Sequence, residues 1–211
     1  MRASHFVRNA LLVLVAAAIF AGCSSTNMTN LWMDESAITP MVDNVLVIAL
    51  TRNQEARRFW EDTIAAEFNA QGLLARQSYQ LFPADLPDSQ QVAVVMERDK
   101  HDAAIVAHRL KIAASKERGG GYRETAPAAH LNYWRRGYNV AYSAAVLPKS
   151  MQQNDDDEDM RFVMDLARTD GRLIWTGTTI PIDPKDAEKL RDEVAGQVVP
   201  ELQKRKIIAK E

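Results

Sequence analysis

Hydrophobic and polar positions divide this chain into a succession of periodic segments. Val45-Leu46-Val47-Ile48-Ala49-Leu50 is a continuous β-branched and apolar run, the pattern of a strand buried on both faces. Over residues 55–71, Ala56, Phe59, Trp60, Ile64 and Phe68 recur at helical spacing. Thr51, three before Gln54, offers a capping box ahead of that helix, and Gly72 a stop behind it. Residues 73–82 read as a second strand closed by Pro83. Pro87 and Ser89 open a second helix with Val92, Val95 and Met96 on its buried face, and residues 103–107 read as a third strand. Strand, helix, strand, helix, strand at these lengths predicts an α/β layer with crossover helices.

The second half changes character. Residues 116–129 contain Gly119-Gly120-Gly121 and Pro127 and read as a loop. Residues 133–146 read as a long aromatic strand with Tyr138, Val140 and Tyr142 on one face. Residues 160–167 alternate Phe162, Met164 and Leu166 against Arg161 and Asp165, the pattern of a half-buried strand. Thr169-Asp170-Gly171-Arg172 supplies a tight turn into Leu173-Ile174-Trp175-Thr176-Gly177, a strong hairpin signal. Asp183 as N-cap and Pro184 as first helical residue open a last helix, striped by Ala187, Leu190, Val194 and Val198. Pro200 is expected to kink or end it. The expected fold is therefore α/β (α+β): a mixed sheet, β-α-β-α-β followed by long antiparallel strands and a C-terminal helix, with helices packed on the sheet.

The start of the chain carries a different signal. A basic beginning at Arg2 and Arg8 leads into an apolar stretch over residues 10–21, too short for a bilayer span of about 20 residues. It ends in Phe20-Ala21-Gly22-Cys23, and Cys23 is the sole cysteine. This pattern resembles a bacterial lipobox, with Phe20 where leucine is usual. The resemblance implies cleavage before Cys23, a diacylglycerol thioether on its sulfur and an acylated amino terminus. Ser24 follows the cysteine instead of the Asp that retains such proteins at the inner membrane, which implies an outer-membrane, periplasm-facing protein. The expected organisation is a signal peptide over residues 1–22, a flexible tether over 23–42 and one α/β domain over 43–211. Residues 24–40 show no sustained periodicity and would reach roughly 55 Å at about 3.3 Å per residue.

Charge and cysteine usage narrow the function classes. Removing residues 1–22 takes two of the 26 basic residues and none of the 28 acidic ones, leaving 24 against 28. A near-balanced chain lacks the basic domain of a nucleic-acid binder. With the sole thiol acylated, stability must come from an apolar core, with no disulfide.

Each cluster with possible chemistry has a simpler reading. Asp155-Asp156-Asp157-Glu158-Asp159 lacks the Gly and the closing Glu of a calcium loop, with Leu166 at the twelfth position, and reads as a solvated acidic loop. His101, His108 and His130 lack the i, i+4 spacing of a helical zinc pair, so neither a metal nor a cofactor is expected. Ser78 sits in no nucleophile elbow, and Gly119-Gly120-Gly121 lacks the Lys-Ser/Thr of a phosphate loop. The basic residues Lys204, Arg205, Lys206 and Lys210 read as a solvated terminus. Trp134, Arg135 and Arg136 are the best candidate partner-binding patch, since aromatics and Arg are enriched at interface hot spots.

Four phrases bring a family to mind: Val45-Leu46-Val47-Ile48-Ala49, Ser78-Tyr79 before Phe82-Pro83, Asp102-Ala103-Ala104-Ile105-Val106, and Asp170-Gly171-Arg172-Leu173-Ile174-Trp175-Thr176-Gly177. Over residues 43–205 the chain resembles uncharacterised bacterial outer-membrane lipoproteins whose α/β domain is akin to the N-terminal domain of TolB and to curli-secretion-type lipoproteins. The resemblance implies a membrane-tethered, non-catalytic module that contacts another envelope protein; it brings no catalytic residues and says nothing of oligomeric state. The expectation is a cell-envelope lipoprotein acting as a protein-binding or assembly module and not as an enzyme. The alternative is a small-molecule or glycan-binding lipoprotein with a cavity lined by Trp134, Tyr138 or Trp175, and a hydrolase is the third reading.

Overall fold

The computed structural model describes residues 28–111, 132–146, 160–179 and 187–209. Cys23, residues 1–22 read as a signal peptide, the triple glycine, His130, the acidic run 155–159, Asp183, Pro184 and Lys210 lie outside them. Strands β1 (Met28–Met33), β2 (Asn44–Ala49), β3 (Leu74–Gln77), β4 (Ala103–Lys111), β5 (Met160–Arg168) and β6 (Leu173–Thr179) form one sheet in the order β1-β6-β5-β4-β2-β3. Helices α1 (Gln54–Ala70), α2 (Ser89–Arg98), α3 (Gly137–Val146) and α4 (Ala187–Lys204) pack on it. β2 pairs in parallel with β3 and β4, while β4-β5, β5-β6 and β6-β1 are antiparallel. This is the mixed sheet with a C-terminal helix that the sequence predicts.

Alternation along the strands explains the layers. Val45, Val47 and Ala49 of β2 join Ile105 of β4 and Met164 and Leu166 of β5 on one face, under Trp60, Ile64 and Phe68 of α1 and Val194, Val198 and Leu202 of α4. Leu46 and Ile48 point the other way, with Ala104 and Val106, under Val92, Val95 and Met96 of α2 and Tyr138 and Ala141 of α3. A central strand covered on both faces has no polar side, which is why residues 45–50 read as an unbroken apolar run.

Four expectations need correction. Met28–Met33, inside the segment read as tether, is β1, paired with β6 from Met28↔Thr179 to Met33↔Trp175. It is the edge strand of the sheet, and Thr29 and Asn30 interrupt its apolar residues so that no periodic pattern announces it. Residues 133–146 are a 3₁₀ turn (Tyr133–Arg135) followed by α3, not a strand. Tyr138 and Tyr142 are one helical turn apart with rings stacked at 6.2 Å, while Val140 points out at 72% exposure. The antiparallel partner of β5 is therefore β4, which runs on to Lys111. The cap of α1 is Asn53, whose Oδ1 accepts from the amides of Glu55 and Ala56, and not Thr51. The strand expected over residues 73–82 is shorter, since β3 stops at Gln77 and Ser78–Gln80 is a 3₁₀ turn.

Three other local signals hold and one stop signal does not. Gly72 (φ 74) ends α1. Gly171 (φ 88) makes the β5–β6 turn, where a Cβ would also sit 2.4 Å from the Asn132 side chain. Asp88 and Gln91 close a reciprocal capping box at α2, one residue from the Pro87 and Ser89 start. Helix α4 continues through Pro200 to Lys204, so the proline does not end it.

Candidate functional site

The predicted patch divides. Trp134 is only 5% exposed; it packs edge-on against Tyr133 and Tyr138, and its Nε1 donates to the Arg168 carbonyl at 3.0 Å. It belongs to the core beneath α2 and α3, so its place in the patch is withdrawn. Arg135 and Arg136 are exposed. They sit beside the β5–β6 turn, because the Tyr133 amide donates to the Gly171 carbonyl at 2.7 Å. Tyr138 and Trp175 are also fully buried in packed clusters, so these rings are core side chains rather than an exposed ligand platform.

Two buried carboxylates organise the polar interior instead. Glu61 on α1 is fully buried. Its Oε1 accepts from Arg57 Nε at 3.1 Å, Ser78 Oγ at 2.7 Å and the Ala49 amide at 3.1 Å, and its Oε2 from the Tyr79 amide at 2.7 Å. Arg57 spends its other donors on Ser78 Oγ and on the carbonyls of Phe82 and Asp85. The cluster thus ties α1 to the end of β2, to the turn after β3 and to the approach to α2. Burial pushes the Glu61 carboxyl above its ordinary value; Ser78, the two amides and Arg57 pull the other way. Ser78 is consumed here as a structural bridge.

The second carboxylate is Asp165, on the face of β5 under the 3₁₀ turn. It accepts from Tyr133 Oη at 2.9 Å, Thr176 Oγ1 at 2.8 Å and His108 Nε2 at 3.1 Å. His108 and Asp165 form the imidazole–carboxylate pair that a general base requires. No nucleophile is bonded to His108 among the described residues, and Asp165 is itself only 8% exposed. Burial, and then Asp165, push the Tyr133 hydroxyl well above its ordinary range, so it remains a hydrogen-bond donor. Among the described residues no group of three or more His, Cys, Asp or Glu is placed to hold a metal, and no helix is long and apolar enough to cross a membrane.

A third arrangement lies at the free edge of β3. An open groove of about 410 Å³ is lined by Asn44, Asn69, Arg76, Gln77, Asp99 and His101, among others. Asn44 Nδ2 donates to the Lys100 carbonyl, which turns Asn44 Oδ1 toward His101 Nδ1 at 2.7 Å. An amide oxygen only accepts, so Nδ1 carries the proton and Nε2 is left as an acceptor with no hydrogen-bond partner among the described residues. Burial holds His101 below the ordinary imidazole value, against the pull of Asp99.

No family model and no curated protein matches this chain. Solved structures with a partial likeness include two forms of one assembly. The PelC dodecamer from Paraburkholderia phytofirmans in space group P6 aligns at 11% identity and a TM-score of 0.40, covering 87% of this chain and 99% of that one. A single-residue variant of the same dodecamer in space group C2 gives 11% identity and 0.40, covering 82% and 92%. Likeness at this level carries no argument about activity, partners or assembly.

The sequence reading missed Arg57, Glu61 and Asp165. For the first two a signal exists: positions 57, 61, 64 and 68 share one helical stripe, so opposite charges stand in register with Ile64 and Phe68. For Asp165 the strand alternation pointed to solvent, and only the packing of the 3₁₀ turn over that face buries it.

Proposed function

We propose that this protein is a lipid-anchored cell-envelope lipoprotein of the outer membrane, facing the periplasm, whose single domain is a non-catalytic protein-binding or assembly module. The observation that carries the reading is Cys23 directly after Ala21-Gly22 behind a short apolar stretch, with Ser24 following it. Three acyl chains exceed the two signals needed for stable anchoring. Anchoring confines the domain to the membrane surface and raises its effective concentration toward partners there. The non-catalytic part is supported by the bonding of Glu61 and Asp165, whose acceptor positions go to donors that hold elements together. The partner-binding surface is reduced to Arg135 and Arg136, which stay exposed.

Replacing Cys23 with Ser is expected to release the protein into the soluble periplasmic fraction. Sedimentation of that variant with the outer membrane would sink the anchoring reading. Photocrosslinking from Arg135 and Arg136 in intact cells, with Val94 on the outer face of α2 as control, tests the binding reading. A discrete adduct from the arginines alone supports it, and identical adduct patterns from all three sites oppose it.

The groove beside β3 favours a second reading, a small-molecule or glycan-binding lipoprotein, because it is open and lined by polar side chains, Asn44, Asn69, Arg76, Gln77, Asp99 and His101. A panel of mono- and oligosaccharides scored by thermal shift tests it. Absence of any shift that His101→Ala abolishes would remove this reading.

A further inference from the structure

We infer that the end of the sheet where β1 begins is held against the lipid bilayer, and that the Asp170-Gly171 end, with Arg135 and Arg136, is carried away from it. The inference rests on the proposed acylation of Cys23. Its physical content comes from the length of chain between that cysteine and the folded domain. β1 starts at Met28, so only five Cα–Cα steps separate the lipid-bearing residue from the sheet. Fully extended they span about 18 Å at roughly 3.6 Å each.

Register fixes which end this is. Met28 lies opposite Thr179 at the end of β6; Thr178 pairs with Val163 near the start of β5; Met160 pairs with Lys111 at the end of β4. β2, parallel to β4, points its last residue and the start of α1 the same way. At the opposite end stand the β5–β6 turn, the first residues of β2 and β4, and the 3₁₀ turn whose Tyr133 amide bonds Gly171. From Met160 to Arg168 the sheet measures about 27 Å at roughly 3.3 Å per residue. The inverted pose, with the turn end on the lipid, would lift Met28 about that far from the surface. The available reach is about 18 Å, so that pose is closed to the anchored protein.

Charge does not set this pose. Arg52, Arg109, Lys111 and Arg161 belong to the anchored end, but Glu55 does too, and the acidic run 155–159 is joined directly to Met160. The length of the tether sets the pose, so added salt should leave it unchanged.

Acylation of Cys23 leaves the mature chain without a free thiol, so an introduced cysteine is the sole labelling site. Mature lipidated protein carrying Arg109→Cys or Arg135→Cys is labelled with a donor dye and reconstituted into phosphatidylethanolamine–phosphatidylglycerol vesicles bearing a headgroup acceptor. The expected energy transfer is at least about twofold greater from position 109, and unchanged by raising salt from about 0.1 to 0.5 M. Inserting ten Gly/Ser residues after Ser25 should shrink the difference. Equal transfer from both positions, as for a domain lying on its β1 edge, or greater transfer from position 135, overturns the inference. Mass spectrometry of the N-terminal peptide separates the two failures. An unacylated Cys23 removes the lipoprotein reading itself, and an acylated Cys23 with equal transfer removes only the orientation.

Discussion

Glu61 and Asp165 are both buried carboxylates at the heart of this domain, on opposite faces of the sheet, and they are stabilised in different ways. Glu61 faces a guanidinium that cannot lose its proton, one hydroxyl and two backbone amides. Asp165 faces two hydroxyls and an imidazole. The first cluster joins backbone from four separate segments, and the second joins side chains across β4, β5, β6 and the turn before α3. Removing a partner from the first strands a permanent charge where water cannot reach it. Removing one from the second leaves the carboxylate short of one hydrogen bond but uncovers no guanidinium. A buried ionic centre is therefore the stiffer and more fragile of the two arrangements.

Arg57→Met tests that contrast most severely. Leaving Glu61 buried without its counter-ion is expected to destabilise the fold by about 3–5 kcal/mol in urea unfolding. The double change Arg57→Met with Glu61→Leu should recover only part of the loss, because Ser78 and the amides of Ala49 and Tyr79 then lose their acceptor. Full recovery would show that the pair adds nothing beyond the volume it fills.

Asp165→Asn is expected to cost less, about 1–3 kcal/mol. One amide oxygen remains for an existing donor, but the amide nitrogen meets a hydroxyl or an imidazole N–H that had been donating. Tyr133→Phe removes a single donor from the same carboxylate and should cost about 1 kcal/mol. Should Tyr133→Phe prove as damaging as Arg57→Met, the two clusters are equally brittle and the contrast fails.

How legible these regions are in the sequence follows from what each signal measures. The central strand, the first crossover helix and the Asp170-Gly171 turn are set by local patterning and stand where residues 45–50, 55–71 and 169–172 put them. The second crossover helix and the last helix also form, the predicted start of the last lying outside the described residues. Segment 133–146 fails because a short aromatic run fits period two and period 3.6 alike. Gly137, with Tyr133 packed against its bare Cα, and the Tyr138–Tyr142 turn decide for helix. β1 is invisible locally, since Met28–Met33 becomes a strand only by pairing with β6. Trp134 had the composition of an interface residue and the burial of a core one, a distinction that only packing supplies.

The smallest expected effect is in pH dependence, and its sign separates the Glu61 centre from His101 in the groove beside β3. The Glu61 carboxyl is held above its ordinary value of 4.5, chiefly by burial. A group with a raised pKa binds more proton folded than unfolded, so its contribution is fully present below 4.5 and is lost as pH rises through the folded value. His101 has the opposite sign. Its pKa lies below 6.5, so its contribution is present above 6.5 and is lost as pH falls through the folded value. Urea midpoints across this interval, measured for the parent, Glu61→Gln and His101→Asn, isolate each slope by difference. Relative to the parent, Glu61→Gln should lose stability less steeply as pH rises, even though it starts lower because Arg57 is left unpaired. His101→Asn should lose stability less steeply as pH falls. If Glu61→Gln keeps the parent slope, burial of Glu61 is not what makes its side of the sheet sensitive to protons.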